Sequence, residues 1–173
     1  ALESYVARLL ALAGEPDAPG AARRVVAIEG RIANHHWTRV QNRDPVKVYN
    51  KVTLAEAARL TPGFDWFAFL EGAAAPSVAA LDINQPTYVR ELARIVKGTP
   101  VADWRLYFKF RLLDSYAPYL APDFERANFD FRQATLRGVK EQEPRWRRGV
   151  ALLDESIGEL LGRQLEGEDF LVL

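Results

Sequence analysis

Apolar residues recur at intervals of three and four along most of this chain, a spacing that predicts helices rather than strands. Residues 2–13 set Tyr5, Leu9 and Leu12 on one face, and the segment GEPDAPG at 14–20 is a turn-rich break. A long helix is expected over about 21–40, with Val25, Ile28, Ile32 and His36 as its stripe and Glu29, Ala33 and Trp37 alongside. It should end in the Asn42–Pro45 stretch, because the residue before a proline resists helical geometry.

Thr53 and Glu56 have the spacing of a capping box, in which the hydroxyl accepts from the third amide and the carboxylate reaches back. A short helix over 54–60 follows from it, closed by Thr61-Pro62-Gly63. Asp65 is placed to cap another, carrying Trp66, Phe67, Phe69 and Leu70. Small residues at 72–77 predict a loop, and 78–83 a short strand or extended connector. Pro86 stands where a first helical residue belongs, ahead of an apolar face of Tyr88, Leu92 and Ile95.

Residues 103–116 form the most apolar stretch. Trp104, Phe108, Leu112 and Tyr116 step by four and Phe110 and Leu113 widen the stripe, which predicts a central helix buried on more than one side. Pro118 and Pro122 stop it. A helix over 123–136 with Phe124, Phe131 and Leu136 should close at Gly138. The last helix starts near Pro144, and Trp146, Val150, Leu153, Ile157 and Leu160 make a packing seam. Gly162 and Gly167 weaken its end. The expected fold is all-α: one helical lobe over residues 1–173, of seven or eight helices, with at most a minor strand pair near 78–83.

Composition narrows the function classes. Lys plus Arg equals Asp plus Glu at 23 each, so no basic surplus points to nucleic acid. The chain has no cysteine, which removes disulfides and thiolate metal sites. No apolar run is long enough to span a membrane. The absence of methionine from all 173 residues leads us to expect a piece of a longer protein or a processed product.

Chemistry of its own is hard to find in this sequence. The two histidines, His35 and His36, are adjacent, and on a helix neighbours point about 100° apart. The helix-borne zinc motif needs two histidines four apart with a glutamate beside the first, and no HExxH occurs. The pair therefore reads as structural. There is no Gly-rich phosphate loop and no GxSxG elbow. Glu155 and Glu159 stand one turn apart, as on an ordinary solvated face. No catalytic, cofactor-binding or metal-ligating residue is assigned.

Three stretches together resemble the neprilysin family of zinc metallopeptidases, specifically its helical N-terminal region. Residues 28–66 carry Glu29, Ala33, Arg43, Asp44, Tyr49, Asn50, Thr53, Leu54, Pro62 and Trp66 in the family's order. Residues 83–113 look like its Pro-Tyr helix followed by a Trp-bearing helix. Residues 127–162 have the Phe, Gly and Arg-Trp-Arg group in sequence. Beyond Gly162, Leu165 departs from the family's usual Tyr and Phe170 agrees with its Phe.

The resemblance implies a non-catalytic lid that closes over a zinc cleft and limits entry to peptides. It places HExxH, a third glutamate ligand and the zinc itself in a catalytic domain whose residues are not in this sequence. The implied partners are that catalytic domain and the parent's peptide substrates, without nucleic acid. The implied location is extracytoplasmic, periplasmic or secreted. By itself the chain is expected to be inactive. The rival reading is a stand-alone helical module that binds a protein or peptide without catalysis.

Asn50 either buttresses the face toward the catalytic domain or bonds local backbone, and the second is favoured. Trp104 and Trp146 read as core. Arg145, Arg147 and Arg148 lie where a helix dipole opposes cations, which suggests carboxylate partners for at least one. Arg105 and Arg111, on the most apolar helix, are expected to be paired internally.

Overall fold

A computed structural model of the chain describes residues 1–165; Gly167 and Phe170, weighed above, lie outside them. The fold is all-α. Nine helices appear among the described residues: α1 (Leu2–Leu12), α2 (Ala18–Ala33), α3 (Pro45–Val48), α4 (Leu54–Leu60), α5 (Trp66–Gly72), α6 (Pro86–Gly98), α7 (Val101–Tyr116), α8 (Pro122–Asn128) and α9 (Arg145–Leu165). Strands β1 (Lys51–Thr53) and β2 (Ala80–Asp82) pair antiparallel, with Val52 opposite Leu81. The chain divides into two compact units, Ala1–Asn128 and Phe129–Leu173.

The core of the larger unit starts with α1 and α2. Val6, Leu9, Leu10, Val25 and Ile28 are almost completely buried, and each such side chain contributes about 1.5–3 kcal/mol. Leu12, expected on the buried face of α1, is instead partly exposed, because the face rotates toward Val6 and Leu10. Phe110 from α7 enters the same core, edge-on to Tyr5 with ring centroids 6.1 Å apart. Three polar side chains are buried with it, and each is satisfied. The Tyr5 hydroxyl donates to Asp114 Oδ1 at 2.7 Å and accepts from Asn128 Nδ2 at 3.0 Å. Thr61 donates to the Ala57 carbonyl and accepts from the Trp66 indole, both at 2.8 Å. Thr99 donates to the Ile95 carbonyl and accepts from Arg31.

Local sequence accounts for most boundaries. Thr53 and Glu56 close the expected capping box: the Thr53 amide donates to Glu56 Oε2 at 2.7 Å, and the Glu56 amide donates to Thr53 Oγ1 at 3.3 Å. Asp65 caps α5 through the Ala68 amide. Gly138, at φ +71°, closes the helical run that follows α8.

Four expectations are corrected. First, α2 runs from 18 to 33 rather than 21 to 40. Asp17 caps it by accepting from the Gly20 amide, and Pro19 sits in its first turn. At the other end the backbone leaves the helix so that the Trp37 amide donates to Gln85 Oε1 and its indole donates to Thr87. His35 and His36 therefore lie in a turn and not on a helix. Second, α7 is not buried all round. Phe110 and Asp114 face the core, whereas Phe108, Leu112 and Tyr116 are 62%, 61% and 55% exposed.

Third, the helix predicted over 123–136 is two elements, α8 and a π-helical segment over Phe129–Thr135, where Thr135 donates back to the Asp130 carbonyl at 2.7 Å. Fourth, the predicted seam of α9 is open: Trp146, Val150, Leu153 and Leu160 are all more than half exposed, and no described residue of this helix is buried.

Candidate functional site

Glu29 joins a polar cluster on the larger unit with Arg111 and Tyr107. It projects from α2 one turn before that helix ends. Arg111 of α7 brings its Nη1 to 3.6 Å from Glu29 Oε1, and the Tyr107 hydroxyl, one turn earlier on α7, lies near the same carboxylate. Tyr88 of α6 lies near enough to feel that charge. Burial first, and the negative charge of Glu29 second, push both phenols above their ordinary value. Both thus stay neutral and able to donate at neutral pH. His36 stacks on Tyr88 with centroids 4.0 Å apart.

This cluster is not a metal centre. A structural or catalytic zinc site needs three or four convergent N, O or S donors. Among the described residues no group of three or more His, Asp or Glu side chains converges in that way. His36 is engaged with Tyr88, and Glu29 with Arg111 and Tyr107. Glu159 pairs with Arg163 along α9. The residues present do not fit a zinc ion, and no hydrolytic step is derived through one.

Beside the cluster, α7 presents the aromatic row that the sequence places at four-residue intervals. Trp104 lies 5.3 Å from Tyr107 and 5.7 Å from Phe108, centroid to centroid. With Val101, Leu112 and Tyr116 the row runs about 22 Å along the helix. Val101, Phe108, Leu112 and Tyr116 are exposed along it, and Trp104 is half-buried. α9, taken alone, carries a second such row.

Other residues singled out from the sequence have local roles. Asn50 Nδ2 donates to the Lys47 carbonyl at 2.7 Å, and its amide donates to Asp82 Oδ1 at 2.7 Å, so it fastens the start of β1. Arg111 has the internal partner expected of it, in Glu29, while Arg105 is exposed. Trp104 is half-buried and Trp146 is exposed, so neither is a core residue. The Arg147 guanidinium lies 5.3 Å from the centroid of the Trp146 ring, and Arg148 donates to the Glu143 carbonyl. Sequence reading missed the two phenols on Glu29. The signal available was Tyr107 and Arg111, four apart on one face of α7, a polar pair within an apolar helix.

The family model for the N-terminal domain of peptidase family M13 matches residues 1–170. The chain belongs to this family. Among M13 relatives, rat endothelin-converting enzyme 1 is 24% identical over 148 residues, covering 81% of this chain and 19% of the relative. The neutral endopeptidase of Lactobacillus helveticus is 23% identical over 174 residues, covering 97% and 27%. The Mycobacterium tuberculosis zinc metalloprotease ZMP1 in its open state superposes with a TM-score of 0.88 at 30% identity, covering 98% of this chain and 27% of that one. The same protease in complex with an inhibitor gives 0.84 at 29% identity. The chain thus spans about a fifth to a quarter of the M13 proteins it matches.

Proposed function

We propose that this chain is a non-catalytic part of a helical lid that limits access to the zinc centre of a neprilysin-like metalloendopeptidase acting on peptides. In this reading residues 1–173 belong to one lobe. The carrying observation is the pairing of two facts: long apolar rows on α7 and α9 lie open, and the described residues lack a donor set for zinc. A surface of that kind needs a covering partner, and the catalytic domain of the same parent is the partner this reading supplies. Zinc, its ligands and the general base then come from outside the chain. The similarity to ZMP1 in both an open and an inhibitor-bound form supports placing this chain as a lobe of a zinc metalloprotease. An extracytoplasmic location belongs to the same reading; no helix among the described residues is long and apolar enough to cross a membrane.

The test uses the full-length parent polypeptide. Phe108→Glu combined with Leu112→Glu should reduce cleavage of a short peptide at least about tenfold, since it puts two charges in an interface that should be apolar. Zinc content by metal analysis should stay unchanged. A change at the entrance to the cleft should let larger substrates be cut. The isolated 173-residue chain should bind a hydrophobic dye, hold no stoichiometric zinc and leave peptides intact. Chelator-sensitive hydrolysis by the isolated chain would sink the proposal. A chain that binds no dye and finds a partner unrelated to peptidases would favour a stand-alone interaction module.

A further inference from the structure

One groove of the larger unit gathers four cations. Arg90, Arg94 and Lys97 share a face of α6 with the buried Ala93, and Leu60 and Pro62 also line the groove. Arg59, in the last turn of α4, lines the same groove. The space between them is about 480 Å³. All four cations are exposed.

Among the described residues, two of the four have an acidic neighbour. Glu91 pairs with Arg94 at 2.6 Å. Glu56, the acid one turn before Arg59, feels its charge and is also held by Thr53 in the capping box. Among the described residues neither Arg90 nor Lys97 has an ion pair. The helix dipole favours Arg59 and Lys97, each in the last turn of its helix, but does nothing for Arg90 in the first half of α6. Like charges four apart on a helix cost a few tenths of a kcal/mol. A chain with no net charge therefore concentrates positive charge at one place, against local preference.

The spacing selects the ligand class. From Arg90 to Lys97 the cations extend about 10 Å along α6, more than one carboxylate or one phosphate can engage. In an extended peptide, side chains two residues apart point the same way and lie about 7 Å from each other. Two acidic side chains on such a strand span this row, and Arg forks accept each carboxylate bidentately. In that arrangement the side chain between the two acids points away from the groove.

We propose that the groove between α4 and α6 is a docking site for an extended acidic peptide segment of another polypeptide. A labelled peptide of alternating Glu and Leu, titrated into the 173-residue chain at low salt and followed by fluorescence anisotropy, should bind saturably. It should weaken as salt is raised, and the same peptide with Gln for Glu should not bind.

Arg90→Glu with Arg94→Glu should weaken binding at least about tenfold, while Arg23→Glu on α2 should leave it unchanged. Circular dichroism checks that the double variant is folded; if it is not, Arg90→Gln alone should weaken binding about threefold. Binding that survives these changes would overturn the site. Inorganic tripolyphosphate binding as tightly as the peptide, and lost in the same variants, would overturn the peptide as its ligand.

Discussion

α1 and α9 both carry apolar residues three and four apart, yet α1 buries Tyr5, Val6, Leu9 and Leu10 whereas no described residue of α9 is buried. Within α7 the same divergence occurs between two faces of one helix: Phe110 is buried and Phe108, two residues earlier, is 62% exposed. Periodicity reveals which side of a helix is apolar. It does not reveal whether the covering element is encoded nearby. For α1 the cover is α2, reached after a five-residue turn. For α9 no cover is present among the described residues, which is the condition expected of a surface whose partner lies elsewhere.

The comparison can be broken by mutation. Leu9→Ala empties a fully buried site and should cost about 2–5 kcal/mol in urea unfolding. If Leu9→Ala proved as mild as a change on α9, the α1–α2 core would be wrongly placed. Tyr5→Phe should cost about 1–3 kcal/mol, because Asp114 and Asn128 lose the hydroxyl between them; an unchanged denaturation midpoint would contradict the buried bond.

Thr53→Ala should cost about 1 kcal/mol by uncapping α4. Its partner adds a pH signature. Hydrogen bonds from the Thr53 amide and hydroxyl hold the Glu56 carboxyl below its ordinary 4.5. Stability from that group is thus present above about pH 4.5 and is lost as pH falls through the lowered folded value. The gap in thermal midpoint between the parent and Glu56→Gln should close as the solution is acidified, and a gap that widened would refute the cap. The smallest effect is expected on α9, where Leu153→Ser should change stability by less than about 0.5 kcal/mol and should reduce hydrophobic-dye binding.

Much of this fold is legible in the sequence because its signals are local. The capping box at Thr53, the Asp65 cap and the closing Gly138 act within a few residues, and the structure places each where the spacing predicts. The end of α2 is not legible in that sense. Trp37 leaves the helix to bond Gln85 and Thr87, 48 and 50 residues away, and no window along the chain contains both ends of those bonds. The π-helical turn after α8 has the same apolar spacing as an ordinary helix. β1 was hidden because its last residue, Thr53, also caps α4. In the polar cluster, Arg111 was expected to find a partner, but its position over Glu29 beside two phenols depends on α2, α6 and α7 meeting. The open face of α7 was misread for a simpler reason: an apolar stripe suggests burial, and only three-dimensional packing reports which of two stripes has been used.

The hydroxyl shared by Tyr5, Asp114 and Asn128 also bears on how the protein is made. Its final bond links positions 123 residues apart. At about 5–20 residues per second, Tyr5 is synthesised about 6–25 seconds before Asn128. The α1–α2 hairpin can form early, but its buried phenol has no complete set of partners until Asn128 has been made. During that interval it is a nascent segment with an unfinished interior, and translation speed and chaperone occupancy there bear directly on yield.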